Sequence, residues 1–222
     1  MTKPYNPLEK PLTKIPEHKK NIIIDFMGTM VYENPEWQVL KPLTKKDATR
    51  IHQQGMVLRP GIEDLFKAYK NNDEKIVIHS DTSIKEIKYM LNGTGKYING
   101  ICSGKEFMYD EQFYDENTKI MQPRAIKNLE KTCETYNLKP DETIFIGDTV
   151  IDIDSAQKYH MDMIFIPHSE LFPDFNFKDI MPNTKLDYLN SLNQTTKQTT
   201  PTINQISKTN QNLNQITKQY LK

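Results

Sequence analysis

Short β-branched runs alternate along this chain with segments whose apolar residues recur at helical intervals, from Asn21 to Pro167. The runs Ile22-Ile23-Ile24, Ile76-Val77-Ile78 and Thr143-Ile144-Phe145-Ile146 read as strands of an open parallel sheet. The pattern predicts strands near 21–25, 75–79, 98–102, 143–147 and 162–166, and helices near 60–70, 83–91, 124–136 and 152–159. Ile62, Leu65, Phe66 and Tyr69 follow Pro60 at helical spacing, and Ile126, Leu129, Cys133 and Tyr136 make a second stripe. Ser83-Ile84-Lys85-Glu86 predicts a capping box for the helix that Asn92-Gly93 closes. Strands alternating with helices predict a doubly wound, Rossmann-like α/β fold with a mostly parallel sheet.

The pattern fades at both ends. Residues 1–20 carry Pro4, Pro7, Pro11 and Pro16 among polar residues and predict an extended arm. The α/β domain is expected over 21–182. Residues 183–222 form a polar tail that is expected to be disordered or weakly helical, with Ile206, Leu213, Ile216 and Tyr220 at near-heptad spacing. A chain of 222 residues supplies one core. Lys+Arg and Asp+Glu balance at 29 each, so no basic field points to nucleic acid. Cys102 and Cys133 match no metal spacing and read as buried, reduced thiols, which fits the cytoplasm. No stretch resembles a signal segment or is apolar enough to span a bilayer, so no membrane association is expected. Oligomeric state is not encoded in these patterns.

Chemistry-bearing residues follow the strands. The first run stops at Asp25-Phe26-Met27-Gly28-Thr29, the second at His79-Ser80, and the third at Gly147-Asp148 with Asp152 and Asp154 close behind. In an open parallel sheet such positions fall in the crevice outside the carboxyl ends of the strands. In order and spacing, together with Leu58-Arg59-Pro60-Gly61, these segments resemble the motifs of the haloacid dehalogenase superfamily over roughly residues 21–167. Most members of that superfamily are magnesium-dependent phosphatases. The resemblance implies a haloacid-dehalogenase-like fold and Asp25 as a nucleophile that accepts a phosphoryl group. It implies a Mg2+ site made by Asp25, Asp148 and the backbone carbonyl of Met27, with Asp152 orienting metal waters. Gly28 permits the turn after the strand, and the hydroxyls of Thr29 and Ser80 can hold loop and phosphoryl oxygens. The substrate would be a phosphorylated small molecule or macromolecule.

Two departures from the family pattern matter. Met27 stands where the second Asp of the first motif protonates the leaving alcohol, work worth about 10²–10⁴ in rate. A thioether cannot do it, which leaves a specialised phosphohydrolase, a pseudophosphatase that binds a phosphate or a partner, and a carbon–phosphorus hydrolase as competing readings. The last would need a lysine from Lys41, Lys45 or Lys46. The third-motif cation is also open among Lys119, Arg124 and Lys127, with Lys127-Asn128-Leu129 favouring Lys127, and both Arg124 and Lys127 expected on the first turn of a helix. His79 and His160 read as structural histidines, and Asp110–Glu116 as a solvated acidic loop. About 30 residues separate Thr29 from Arg59, enough for Trp37 and a short helix near Lys45–Gln53 but for little or no cap domain.

Overall fold

The computed structural model describes residues 11–33, 56–70, 73–91, 93–115, 119–168 and 174–199. Its elements run β1 (Asn21–Ile24), β2 (Val31–Glu33), β3 (Met56–Leu58), α1 (Ile62–Ala68), β4 (Lys75–His79), α2 (Ile84–Leu91) and β5 (Gly100–Cys102). They continue with β6 (Met108–Asp115), β7 (Ile120–Lys127), α3 (Leu129–Tyr136), β8 (Thr143–Gly147), α4 (Val150–Lys158), β9 (Met163–Phe165) and α5 (Asn183–Thr199). Five strands form one parallel sheet in the order β5-β4-β1-β8-β9, as expected of a doubly wound α/β fold.

Alternation within the strands explains why both faces are covered. Ile22, Ile24, Ile76, Ile78, Ile144 and Ile146 enter one core with Leu65 and Phe66 of α1. Ile23, Val77 and Phe145 point the other way, into a second core with Leu129 and Cys133 of α3 and Ala156 of α4. Register then sets the chemistry. Ile24 lies beside Ile78 and Ile146, so the residues that follow, Asp25, His79-Ser80 and Gly147-Asp148, all emerge at one end of the sheet.

One expectation fails between the second and fourth motifs. Asp110–Asp115 is not a solvated loop but part of β6, paired antiparallel with β7 from Met108↔Lys127 to Asp115↔Ile120. The helix expected from 124 starts only at Leu129, because Asn128 caps it by accepting the Lys131 N–H at 3.0 Å. Arg124 and Lys127 therefore sit on a strand. Pro123 is tolerated there because both strands of a two-stranded ribbon are edges, and its missing N–H need not meet a partner.

The ends of the described chain are docked. The backbone N–H of Ile15 donates to Ile180 O at 2.7 Å, and buried Lys19 reaches Asp162 Oδ2 and Asp141 O, each at 2.8 Å. From Asn183 the polar tail is helical as far as Thr199, and α5 packs on α1 with Leu189 buried in the first core. Trp37, the helix expected near Lys45–Gln53, the lysines Lys41, Lys45 and Lys46, and the tail beyond Thr199 lie outside the described residues. Replacing Leu189 by Ala should cost about 2 kcal/mol, the low end for a buried leucine. In thermal unfolding that should lower the midpoint by roughly 4–8 °C for a chain of this size, and no shift would show that α5 does not dock.

Candidate active site

Three acidic side chains meet at the carboxyl end of the sheet. Asp25 follows β1, Asp148 follows β8, and Asp152 lies in the first turn of α4; all are buried, and their carboxylate oxygens come within 4.8 Å of one another. The loop after β8 explains the placement of two of them. Thr149 caps α4 and Asp152 closes a capping box, its Oδ2 accepting from Thr149 N at 2.9 Å, Thr149 Oγ1 at 2.6 Å and Asp148 N at 3.2 Å. Gly147 permits this approach, since a Cβ there would lie 2.5 Å from Asp152 Cγ.

Lys127 enters from the end of β7. Its Nζ lies 2.5 Å from Asp25 Oδ1 and 2.5 Å from Asp152 Oδ1. The backbone N–H of Lys127 donates to Ser155 Oγ at 2.9 Å, tying the strand to α4. Burial opposes the ammonium, but Asp25 and Asp152 outweigh it and hold its pKa above the ordinary lysine value. Arg124, three residues earlier, pairs with Asp154 on α4. Of the three candidates for the third-motif cation, Lys127 is the one placed against Asp25.

Asp25 and Asp148 share one neutral donor. The Thr29 hydroxyl, fully buried, lies 2.5 Å from Asp148 Oδ1 and 3.3 Å from Asp25 Oδ2. Burial pushes the Asp25 carboxyl up; Lys127 opposes that shift, while Asp152 and Asp148 add to it. Burial likewise raises Asp148, against its bond from Thr29. Asp148 Oδ2 is buried and makes no hydrogen bond to the described residues. A buried carboxylate oxygen that accepts no hydrogen bond from the described residues, with only the His168 ring 3.4 Å away and a second carboxylate beside it, fits a hard cation such as Mg2+. Asp152 is already supplied with donors on both oxygens, so it fits a positioning role better than direct ligation.

The loop carrying Met27 is stapled from outside. Gly28 has φ 77°, and a Cβ there would lie 2.4 Å from Asp148 Oδ2, so only glycine fits. Buried Arg59 donates from one guanidinium nitrogen to Gly28 O at 3.1 Å and to Pro167 O at 2.9 Å, joining this loop to the one after β9. Above Asp25 opens a cavity of about 390 Å³ that Met27, Gly28 and Lys127 help to line. Ser80 is buried at the end of β4, its Oγ accepting the Thr82 N–H at 3.2 Å.

Neither histidine named from the sequence faces Asp25. His79 is buried with Nε2 2.9 Å from Phe107 O and Nδ1 2.9 Å from Thr132 Oγ1. His160, at φ 49°, ends α4 in the left-handed conformation that a glycine usually takes. The sequence reading missed His168, whose Nε2 lies 3.4 Å from Asp148 Oδ2 and which lines the cavity. It follows a three-residue edge strand with no motif spacing to mark it. The staple made by Arg59 is likewise not legible from its Arg-Pro-Gly context, since its partners are the carbonyls of Gly28 and Pro167.

Residues 7–166 match the family model for haloacid dehalogenase-like hydrolases, and the chain belongs to that family. A putative β-phosphoglucomutase from Thermotoga maritima superposes with a TM-score of 0.50 at 13% identity, covering 79% of this chain and 99% of that one. A haloacid dehalogenase-like hydrolase from Streptococcus pneumoniae (TM-score 0.46, 16% identity, 79% and 99% covered) is also similar. So is a predicted phosphoglycolate phosphatase from Haemophilus somnus (0.46, 14%, 79% and 99%). At 13% identity the likeness to the Thermotoga maritima protein speaks for the fold alone. No curated protein matches the sequence. No helix among the described residues is long and apolar enough to cross a membrane.

His79 yields a test of the site's second layer. Burial lowers its pKa from the ordinary 6.5 to about 3, with Lys127 adding to the shift. The unfolded chain therefore takes up this proton first. The contribution of neutral His79 is whole above about pH 6.5 and is lost as pH falls from there toward 3. The stability difference between the parent and His79→Gln, read by urea unfolding, should shrink over that window with a slope no steeper than about 1.4 kcal/mol per pH unit. A flat difference would mean that the buried imidazole is not held neutral.

Proposed function

We propose that this protein is a magnesium-dependent phosphohydrolase that works through an aspartyl-phosphate on Asp25 and is specialised for leaving groups that need no proton. The observation that carries the reading is the ammonium of Lys127, held at 2.5 Å from both Asp25 and Asp152 beside the Asp148 oxygen that accepts no hydrogen bond from the described residues. Three carboxylates and one lysine leave two negative charges when all are ionised, which suits a divalent cation. Asp25, Asp148 and the carbonyl of Met27 would hold Mg2+, which when bound polarises a phosphoryl oxygen as a Lewis acid.

Asp25 attacks phosphorus, the bond to the leaving oxygen breaks, and an acyl phosphate forms on the carboxylate. Water then cleaves that acyl phosphate, releasing inorganic phosphate and restoring Asp25. Lys127 offsets the charge gathered when a phosphoryl group approaches Asp25, and Asp152 and Thr149 keep Lys127 and the Asp148 loop in place. Thr29 orients the two carboxylates. Ser80, at the adjoining strand end, supports a phosphoryl contact, whereas Arg124 serves the hairpin through Asp154. At residue 27 the side chain gives no proton, so the leaving oxygen departs as an anion. Two buried free thiols, Cys102 and Cys133, support a reducing cytoplasmic setting.

The rival reading is a pseudophosphatase that keeps the cation and phosphate pocket for binding; the thioether of Met27 in the cavity favours it. Magnesium with phosphate or beryllofluoride should raise the melting temperature of the parent and not of Asp148→Ala. A parent unaffected by any such pair would remove the metal site from both readings. Turnover of activated phosphates should vanish in Asp25→Asn. Met27→Asp should raise hydrolysis of alkyl phosphates tenfold or more, since a positioned acid is worth about 10²–10⁴. A folded, magnesium-binding Met27→Asp that stays inert on every phosphate would hand the case to the binding reading.

A further inference from the structure

The cavity above Asp25 has a composition that narrows the substrate. Met27 from the loop after β1, Met56 from β3 and Met108 from β6 converge on it, with Tyr32 and Ile151 completing an apolar wall. All three methionines are half-buried, and each lines this opening. Lys127, the lysine in the wall, already sits against Asp25 and Asp152. His168 faces Asp148, and the remaining charge in the described lining is the acidic Asp81. A carboxylate or second phosphate on the distal part of a substrate would meet carboxylate and thioether there. Among the described residues, the wall therefore favours an uncharged, apolar leaving group over an anionic one.

Aromatic character follows from a separate constraint. Without an acid at residue 27 the leaving oxygen must depart as an anion, and a phenol, with a pKa near 10, does so far more readily than an alkyl alcohol. Polarizable thioethers make favourable contacts with ring edges, and a space of about 390 Å³ lies in the range that seats a small ring-bearing ligand. Acyl phosphates also leave easily, but they place a small polar carboxylate against this wall.

Resting on the hydrolase reading above, we infer that the substrate is an aryl phosphate monoester without a second anionic group, its ring seated among Met27, Met56 and Met108. The reaction releases a phenol and inorganic phosphate and consumes one water, with no redox partner.

Binding and turnover separate the two layers of this inference. By calorimetry with Mg2+, phenylphosphonate should bind the full chain at least tenfold more tightly than methylphosphonate. A para carboxylate on the ring should cost tenfold or more. Met108→Ser, on the cavity rim, should narrow the phenyl-over-methyl preference about fivefold, and Met56→Ser provides the same reading if that variant fails to fold. In turnover, phenyl phosphate should show a lower KM than acetyl phosphate. Acetyl phosphate hydrolysis with no ring preference in binding overturns the aryl seat and leaves the hydrolase standing. A ring preference without turnover of any phosphate keeps the seat and overturns the hydrolase.

Discussion

The ammonium of Lys127 lies 2.5 Å from carboxylate oxygens of both Asp25 and Asp152, and these three residues come from β7, the end of β1 and the first turn of α4. A buried charge of either sign is costly when alone, and removing one member of such a cluster typically costs about 3–5 kcal/mol because the others are left uncompensated. The hairpin, the central strand and the helix are thus tied to one another electrostatically as well as by packing. The capping box reinforces the arrangement. Asp152 Oδ2 is used up by Thr149 and the Asp148 N–H, which leaves Oδ1 for the lysine. One residue starts a helix, orients a loop and fixes a cation.

How much of this was legible in the sequence depended on burial. The strands of the parallel sheet announced themselves because both faces are covered, so every position of Ile22-Ile23-Ile24 had to be apolar. Asp25 and Asp148 were placed correctly at strand ends for the same reason. The β6–β7 ribbon gave no such signal. Tyr109, Ile120 and Met121 are exposed, so the ribbon lacks the alternation that a half-buried strand shows, and Pro123 argued against any strand. Ile126, fully buried at the end of β7, sits at helical spacing from Leu129 and Cys133 and joined two elements into one apparent stripe. The tripeptide Lys127-Asn128-Leu129 points to the right residue, while the helical spacing around it points to the wrong kind of element, since Lys127 ends β7.

Partners across the fold were beyond sequence spacing. His168 meets Asp148 because the chain returns after β9 to the loop that Arg59 also grips. Nothing in the linear order sets a histidine twenty residues past an aspartate beside it. Gly28 shows the same limit. The sequence implied a tight turn there, but the stronger reason is steric: Asp148 Oδ2 and His168 Nε2 stand where a side chain would go. The three methionines of the cavity wall are likewise scattered over β3, β6 and the first loop, and only the folded sheet gathers them.

On the proposed reading, the substitution at residue 27 separates two functions that one aspartate would combine. The backbone carbonyl that serves the cation is fixed by the turn from Phe26 to Val31, where Gly28 N donates to Val31 O at 3.0 Å and Arg59 grips Gly28 O. None of those bonds involves the side chain. The side chain instead joins the cavity wall, where a carboxylate would have to be desolvated among thioethers and a tyrosine. Methionine there exchanges a proton donor for an apolar surface. Such an exchange is tolerable in catalysis only if the substrate brings its own stable leaving anion, so the chemistry lost at residue 27 and the wall gained there constrain the substrate in the same direction.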